Sequence, residues 1–271
     1  LVSRDSHHSD TVVTVRGDIK IGGSNPPVMI AGPCSVENQE NLIAIAKVAK
    51  ECGAKIIRGG AFKPRTGPRM FEGLGKLGLE FLDVARKETG LAVVTEIMDA
   101  RDLDMVAEFT DILQVGARNM QNFTLLNEVG MVNKPVLLKR GLSATIDEWL
   151  LAAERIMDKG NSQVIMCERG IRTFDNKYTR NTADIAAIPV VKRLSHLPII
   201  FDPSHAVGKW NLVAPLALAS LVAGANGLIV EVHPDPEKAL SDGPQTLNFE
   251  NFRKLSKDIE RLSSYITAVK A

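Results

Sequence analysis

The stretch VMIAGPCSVENQENLIAIAKVAKE, residues 28–51, holds one complete unit of the pattern that decides the fold of this 271-residue chain. Its apolar start, Val28–Ala31, is typical of a short buried β-strand. The residues from Asn41 to Glu51 have the apolar spacing of an amphipathic helix. Small and polar residues, Gly32-Pro33-Cys34-Ser35, lie between the two. The stretch therefore predicts a strand, a turn and a helix in that order.

The same unit recurs about eight times from Val28 to the C-terminus. Short runs rich in Val, Ile and Leu predict strands at Val28–Ala31, Lys55–Arg58, Ala92–Glu96, Ile112–Val115, Val136–Lys139, Val164–Cys167, Ile199–Asp202 and Leu228–Val232. Amphipathic stretches predict helices at Asn41–Glu51, Gly78–Glu88, Ala100–Glu108, Phe123–Val129, Ile146–Lys159, Ala183–Leu194, Val213–Val222 and Phe252–Val269. The main rival is an open doubly wound sheet, but no Gly-rich dinucleotide fingerprint follows an early strand. The sequence therefore predicts an α/β fold, a (β/α)₈ TIM barrel.

The first 25 residues differ from this pattern. The first ten are polar and lack periodicity, and a short β-hairpin is predicted after them. Val13 and Val15 form its first strand, Arg16-Gly17-Asp18 its turn, and Ile19 and Ile21 its second strand. The predicted organisation is therefore an N-terminal arm and hairpin in residues 1–25 and a single catalytic barrel in residues 26–271.

Bulk composition narrows the classes of function. Lys and Arg total 33 against 32 Asp and Glu, a net charge of +1, so no general attraction to nucleic acid or to a membrane surface is expected. The three cysteines, Cys34, Cys52 and Cys167, are an odd number in a sizeable chain, which argues against a disulfide framework. We therefore expect a cytoplasmic protein without nucleic-acid or membrane partners.

One apolar stretch, residues 212–230, is nearly long enough to span a bilayer. Pro215 lies near its start, and Gly224 and Asn226-Gly227 interrupt its end. These residues predict a helix, a turn and a buried strand instead of a membrane span.

Basic residues cluster at the predicted C-terminal strand ends, where the active site of a (β/α)₈ barrel forms. They are Arg58, Lys63, Arg65, Arg118, Lys139, Arg140 and Arg169. Cations that converge on one rim repel each other unless anions bind between them. Because the guanidinium group suits phosphate and carboxylate oxygens, the cluster predicts phosphorylated and carboxylated small-molecule substrates.

Four further residues at neighbouring strand ends are potential metal ligands: Cys34, His205, Glu231 and Asp242. Each alone has a structural interpretation, but together they combine a soft sulfur, a borderline nitrogen and two hard oxygens. Such a set suits a divalent metal of intermediate softness, and the spacing leaves Mn²⁺, Fe²⁺, Co²⁺ and Zn²⁺ open. His233, two residues after Glu231, either borders this metal or is structural.

Motifs at most strand ends carry a family resemblance. They are Gly32-Pro33-Cys34-Ser35, the run from Ile57 to Pro68 (IRGGAFKPRTGP), Gly116-Ala117-Arg118, Asp202-Pro203-Ser204-His205 and Ser241-Asp242-Gly243. The chain resembles 3-deoxy-D-arabino-heptulosonate 7-phosphate (DAHP) synthase of the type I beta branch, from about Val12 to the C-terminus. The resemblance implies a transferase that condenses phosphoenolpyruvate with erythrose 4-phosphate and water and releases phosphate. That reaction opens the shikimate pathway of aromatic amino acid biosynthesis.

The resemblance also implies residue roles. The metal ligands would be Cys34, His205, Glu231 and Asp242, with Mn²⁺ preferred and Fe²⁺, Co²⁺, Zn²⁺ or Cd²⁺ as alternatives. The substrate-binding residues would be Arg58, Lys63, Pro64, Arg65, Thr66, Ala117, Arg118, Lys139 and Arg169. Within that set, Arg118, Lys139 and Arg169 with Lys63 would bind phosphoenolpyruvate, and residues 63–66 would meet erythrose 4-phosphate. The catalytic residues would be Lys63, Glu96, Cys34 and His205.

Two alternatives remain. A 3-deoxy-manno-octulosonate 8-phosphate synthase shares the phosphoenolpyruvate chemistry, but that family has Lys-Ala-Asn-Arg-Ser in place of Lys63-Pro64-Arg65-Thr66. A non-catalytic phosphosugar-binding barrel would be expected to lack a ligand or a central cation, whereas every matched position here is filled. The family analogy further predicts a homo-oligomer, a dimer or tetramer. Related chains often have an upstream regulatory or chorismate mutase domain, and this chain starts where such a domain would have ended or been absent. We therefore expect no allosteric inhibition of this chain by aromatic amino acids or prephenate.

Overall fold

The computed structural model describes residues 1–64, 67 and 69–270, and in them a closed parallel barrel confirms the predicted fold. Two strands, β1 (Val13–Val15) and β2 (Ile19–Ile21), form the predicted antiparallel hairpin. The barrel strands are β3 (Val28–Gly32), β4 (Ile56–Arg58), β5 (Ala92–Ile97), β6 (Ile112–Val115), β7 (Val136–Lys139), β8 (Val164–Glu168), β9 (Ile199–Phe201) and β10 (Gly227–Glu231). Each strand pairs with the next in the chain, and β10 pairs with both β9 and β3 to close the ring.

Helices alternate with these strands and surround the barrel. They are α1 (Gln39–Glu51), α2 (Lys76–Thr89), α3 (Leu103–Phe109), α4 (Phe123–Met131), α5 (Ile146–Asp158), α6 (Ala187–Leu194), α7 (Pro203–Val207), α8 (Trp210–Val222) and α9 (Phe249–Lys270). Helix α5 begins with the capping box of Thr145 and Glu148 that its sequence suggests. In the part of the chain that the structure describes, no helix has the length and apolar character needed to cross a bilayer.

The core has two layers, because side chains on a barrel strand alternate between the interior and the surrounding helices. Interior residues such as Ile30, Ile56 and Ile165 form one buried cluster, and the hairpin residues Val13 and Ile21 belong to the same cluster. The apolar face of the hairpin therefore packs against the barrel interior, which leaves the strands' opposite, C-terminal ends for the site.

Several predicted element bounds differ from the structure, and two of the differences have a clear local cause. Helix α6 begins at Ala187 instead of Ala183, because Asp184 lies before the helix, accepts a hydrogen bond from the backbone N–H of Ala187 and pairs with Arg140. The strand predicted to end at Asp202 ends at Phe201. Asp202 instead caps the short helix α7 by accepting from the backbone N–H of His205 at 2.9 Å. This helix directs His205 towards the mouth of the barrel.

Candidate active site

One cavity opens at the C-terminal ends of the strands and gathers most of the predicted site residues. The predicted residues that line it are Arg58, Lys63, Pro64, Glu96, Ala117, Arg118, Lys139, Arg169, His205 and Asp242. Cys34 and Glu231 are buried beside it, with 3% and 1% of their surface exposed. Arg65 and Thr66, predicted to contact the aldehyde substrate, lie outside the described residues.

The cations of this cavity divide into paired and unpaired groups. Arg58 donates to Glu231 Oε1 at 2.5 Å, and Lys139 donates to Asp202. By contrast, Arg118 and Arg169 form no salt bridge with a carboxylate of the described residues, and burial lowers the pKa of Arg169. Two guanidinium groups that face one cavity without a described carboxylate partner form a favourable binding site for an anion.

A carboxylate lies on the side of the cavity formed by β5 and β6. Gln114 donates to Glu96 Oε2 at 3.2 Å, and the backbone of Gly116 passes beside the same carboxylate. A Cβ atom at Gly116 would lie 2.0 Å from Glu96 Oε1, far inside van der Waals contact. Glycine is therefore required at residue 116 for Glu96 to keep this orientation.

The four predicted metal ligands come together, although they are separated along the chain. One ligand atom from each of Cys34, His205, Glu231 and Asp242 lies within 4.8 Å of all the others. The Cys34 Sγ to Asp242 Oδ2 distance is 3.4 Å, and His205 Nε2 lies 3.5 Å from Glu231 Oε1 and 3.7 Å from Asp242 Oδ2. Bonds of about 2.0–2.3 Å to one ion place neighbouring donors about 3–4 Å apart, so this donor set fits a divalent metal.

The orientation of His205 leaves one ring nitrogen for that metal. Its Nδ1 lies 2.8 Å from Asp202 Oδ2, while its Nε2 points towards the other ligands. A carboxylate beside Nδ1 favours the tautomer with the proton there and a free lone pair on Nε2. Burial lowers the pKa of His205 despite the carboxylates nearby, which favours the neutral ring that metal binding requires.

The electrostatics of the ligand cluster are set by burial. Burial, with the charges of Glu231 and Asp242, raises the pKa of the Cys34 thiol to about 11. Burial alone would also raise the pKa of Asp242, but His205, Arg180 and Lys63 lower it to about 2. Lys63 Nζ lies 3.1 Å from both the sulfur and the carbonyl oxygen of Cys34. A divalent ion would supply the positive charge needed to hold Cys34 as a thiolate beside two carboxylates.

Sequence reasoning missed several residues of this cavity. Gln114 is a polar residue within an apolar strand run, which was the available signal. Arg172, Arg180 and Asn181 belong to the long segment between β8 and α6, where no periodicity marks them. Only the folded chain brings that segment over the mouth.

Two residues expected near the mouth have other contacts. Arg140 does not line the cavity; it donates to Glu168 Oε2 and Asp184 Oδ2, each at 2.8 Å, and its guanidinium lies over Trp149. Neighbouring strand residues point to opposite faces, so Lys139 faces the cavity and Arg140 faces the helices. His233 contacts Glu37 instead of the ligand cluster, with its Nε2 3.2 Å from Glu37 Oε2.

Comparisons with known proteins identify a family and relatives that match most of this chain. The model of the DAHP synthetase I family matches residues 10–268. A phospho-2-dehydro-3-deoxyheptonate aldolase of Thermotoga maritima is 55% identical over 263 residues, which cover 97% of this chain and 77% of that protein. A 2-dehydro-3-deoxyphosphooctonate aldolase of Syntrophotalea carbinolica is 32% identical, over 92% of this chain and 95% of the relative.

Solved structures give the same picture. The crystal structure of the Thermotoga maritima phospho-2-dehydro-3-deoxyheptonate aldolase (DAHP synthase) superposes with a TM-score of 0.95 at 54% identity, covering 98% of this chain and 77% of that one. A truncated form of 3-deoxy-D-arabino-heptulosonate 7-phosphate synthase from the same organism gives a TM-score of 0.91 at 51% identity, with 98% and 96% covered. The similarity extends over the whole barrel.

Proposed function

Because this chain belongs to the DAHP synthetase I family, we propose that its barrel mouth condenses phosphoenolpyruvate with erythrose 4-phosphate and water. The products are 3-deoxy-D-arabino-heptulosonate 7-phosphate and phosphate, and the reaction is the first step of the shikimate pathway. The observation that supports the proposal is one cavity in which Arg118 and Arg169 lie beside a cluster of four side chains that could hold a metal ion. Two anionic substrates and a polarised aldehyde need both features.

In this proposal, phosphoenolpyruvate is bound by Arg118, Lys139 and Arg169. Arg118 and Arg169 neutralise its carboxylate and phosphate, while Asp202 holds the ammonium group of Lys139 at the cavity wall. These fixed positive charges stabilise the negative charge that moves onto the phosphate as it leaves. Holding two like-charged substrates in reacting distance is itself a large part of the rate enhancement.

The metal cluster and two side chains serve the aldehyde. Cys34, His205, Glu231 and Asp242 would hold a divalent ion, with Mn²⁺ as our first choice, and that ion would supply Lewis-acid polarisation of the aldehyde oxygen. Lys63 is positioned to hold or donate a proton from Nζ, and Glu96 to accept one at its carboxylate. From the family resemblance, residues 63–66 are proposed to bind erythrose 4-phosphate, with Arg65 and Thr66 nearest its phosphate.

Phosphate release tests the proposal directly. The chain is incubated with phosphoenolpyruvate and either erythrose 4-phosphate or arabinose 5-phosphate, with Mn²⁺ or with chelator. We expect phosphate release with erythrose 4-phosphate and Mn²⁺, loss of it in chelator, recovery on adding Mn²⁺, and no recovery for Cys34→Ala. Preference for arabinose 5-phosphate would instead favour the octulosonate reaction named for the 32% identical relative. Full activity in strong chelator would refute the metal site.

Two wider properties belong to the same proposal. A dimer or tetramer is proposed by family analogy. Light scattering of the protein as it elutes from a size-exclusion column measures the number of subunits directly. A cytoplasmic location is proposed because a cysteine ligand needs a reducing compartment to remain a free thiol.

A further inference from the structure

The four residues of the ligand cluster come from segments that are distant in the sequence. One carboxylate outside the cluster connects several of these segments. We propose that Glu37 is a positioning residue that holds three of the four ligand-bearing segments in register. The inference rests on the proposed function, since it concerns the ion that these ligands would bind. Glu37 lies three residues after Cys34 and is itself no member of the ligand cluster.

The first contact of Glu37 reaches the segment that carries Asp242. Its Oε1 accepts a hydrogen bond of 2.7 Å from the backbone N–H of Leu240, two residues before that ligand. Leu240 is 55% exposed, so the loop has little apolar burial at this point to hold it. This hydrogen bond to a carboxylate therefore helps to anchor the loop at Leu240.

The second contact reaches the end of β10, which carries Glu231. Glu37 Oε2 lies 3.2 Å from His233 Nε2, and the two side chains are only 9% and 5% exposed. His233 Nδ1 in turn lies 2.7 Å from the carbonyl oxygen of Asp235. Glu37 thus connects its own segment, which contains Cys34, to the segments of Glu231 and Asp242.

The backbone of Asp242 explains why such an anchor is needed. This residue has φ of +52°, in the left-handed region that a side chain other than glycine seldom adopts. Aspartate tolerates this region better than most residues do, but a loop without anchors is free to leave it and to move the carboxylate away from Cys34 and His205. Another hydrogen bond, between the hydroxyl groups of Ser35 and Ser241 at 2.7 Å, also connects the loop to the segment that contains Glu37.

Two conservative substitutions separate the effect of the length of the Glu37 side chain (its reach) from the effect of its charge. Glu37→Asp keeps the charge but is one methylene shorter, so it loses at least one of the two contacts. Glu37→Gln loses the charge but keeps the reach. Its amide oxygen still accepts from Leu240 N–H, and its amide group donates to His233 Nε2 in the tautomer with the proton on Nδ1. In that tautomer Nδ1 faces the carbonyl oxygen of Asp235 and gives up the hydrogen bond from the backbone N–H of Asp235.

The readout is Co²⁺ affinity, followed through the absorption of the Cys34 thiolate–Co²⁺ bond, without turnover. We expect Glu37→Asp to weaken Co²⁺ binding by about 10- to 100-fold, the effect typical of residues that orient metal ligands. Glu37→Gln should stay within about threefold of wild type, and the affinity for phosphoenolpyruvate without metal should be unchanged in both.

Glu154→Asp is the matched control. Glu154 also holds a distant segment by a backbone hydrogen bond, 2.6 Å from the N–H of Val2, but it is outside the cavity lining, so its shortening should leave Co²⁺ affinity unchanged. Unchanged affinity in Glu37→Asp, or a loss in Glu37→Gln as large as that in Glu37→Asp, would overturn the inference. Failure of the wild-type chain to bind Co²⁺ would instead overturn the metal site of the proposed function.

Discussion

At the scale of single residues, Gly116 gives a sharp prediction about the cavity. Its φ of −70° is ordinary for any residue, so Gly116→Ala adds a methyl group without backbone strain. That methyl would lie 2.0 Å from Glu96 Oε1 and must displace the carboxylate. Because Glu96 is proposed to accept a proton during the reaction, we expect kcat to fall by about 10²–10⁴-fold, the range of general acid–base catalysis.

The comparison for this prediction is Glu96→Gln, which keeps the shape and removes the base. Both variants should lose kcat to a similar extent and unfold at temperatures close to that of wild type. A Gly116→Ala variant with wild-type kcat would show that the position of the Glu96 carboxylate does not matter to the reaction.

Arg140 supplies a second residue-scale prediction, about stability. Its guanidinium is buried between Glu168, which is fully buried, and the partly exposed Asp184. Burial raises the pKa of Glu168 even beside Arg140, so Arg140→Met leaves a carboxylate that is costly to keep charged. We expect the free energy of unfolding to fall by about 3–5 kcal/mol in urea denaturation, as for other broken buried pairs.

A double-mutant cycle checks the cause. In Arg140→Met/Glu168→Gln no buried charge remains at this pair, and the amide oxygen can still accept from the backbone N–H of Gly170 as Glu168 Oε1 does. The double variant should therefore recover about 1–3 kcal/mol relative to the sum of the single losses. Simple additivity of the two losses would rule out the ion pair as the source of the effect.

At the scale of elements, the N-terminal arm predicts a pH dependence. His196 contacts the arm twice: Nδ1 lies 2.6 Å from Thr11 Oγ1, and Nε2 lies 2.7 Å from the carbonyl oxygen of Leu1. Burial, with the nearby positive charge of His7 and Arg4, lowers the pKa of His196 below 6.5. His196 therefore binds a proton more tightly when the arm is undocked than when it is docked.

The sign of the effect follows from that difference. The contribution of His196 to arm docking is complete above pH 6.5, the ordinary value, and is lost as the pH falls through the lower value in the folded chain. Hydrogen exchange of residues 1–12, corrected for its intrinsic pH dependence, should lose protection between about pH 7 and pH 5. His196→Gln should remove this dependence, whereas His8→Gln should keep it; equal pH profiles in all three proteins would contradict the assignment.

The helices and strands also show how much of the fold could be predicted from the sequence alone. Strands such as Ile112–Val115 and Val136–Lys139 were predicted with their observed bounds, because a run buried on both faces has no other stable arrangement in this fold. Helix starts were less accurate, since the start of α6 depends on the contacts of Asp184 with Arg140, 44 residues away. Helix α7 was missed because five residues are too few for a periodic signal.

For the candidate site, the residues at the strand ends were sufficient to predict which four side chains cluster, but not which contacts hold them in place. The contacts of Glu37 reach His233 and Leu240, 196 and 203 residues away, and no local pattern announces such pairs. The cations were found as a set, but only the folded structure separates Lys139, which faces the cavity, from Arg140, which faces the helices. The residue types at strand ends predict which ligands the site suits, whereas the hydrogen-bond partners of each side chain depend on the complete fold.

At the scale of the whole molecule, the ligand cluster lies where the barrel closes. Cys34 follows β3, the first barrel strand, Glu231 ends β10, the last one, and His205 follows β9. The described register between β9 and β10 is the single pair Leu228↔Phe201, against five pairs between β10 and β3. An ion held by these ligands would therefore connect the ends of β3, β9 and β10, and so bridge β9–β10, the least extensively paired junction of the ring.

Metal removal should consequently weaken the whole fold as well as the site. Metal at 100 times its Kd stabilises a native state by about 2.7 kcal/mol, which for a chain of this size corresponds to a Tm shift of roughly 5–10 °C. We expect scanning calorimetry to show that decrease when chelator replaces saturating Mn²⁺, and almost no shift for Cys34→Ala. A Cys34→Ala variant with the full wild-type shift would show that the stabilising ion binds elsewhere, because a cluster without its sulfur ligand cannot retain most of the binding free energy.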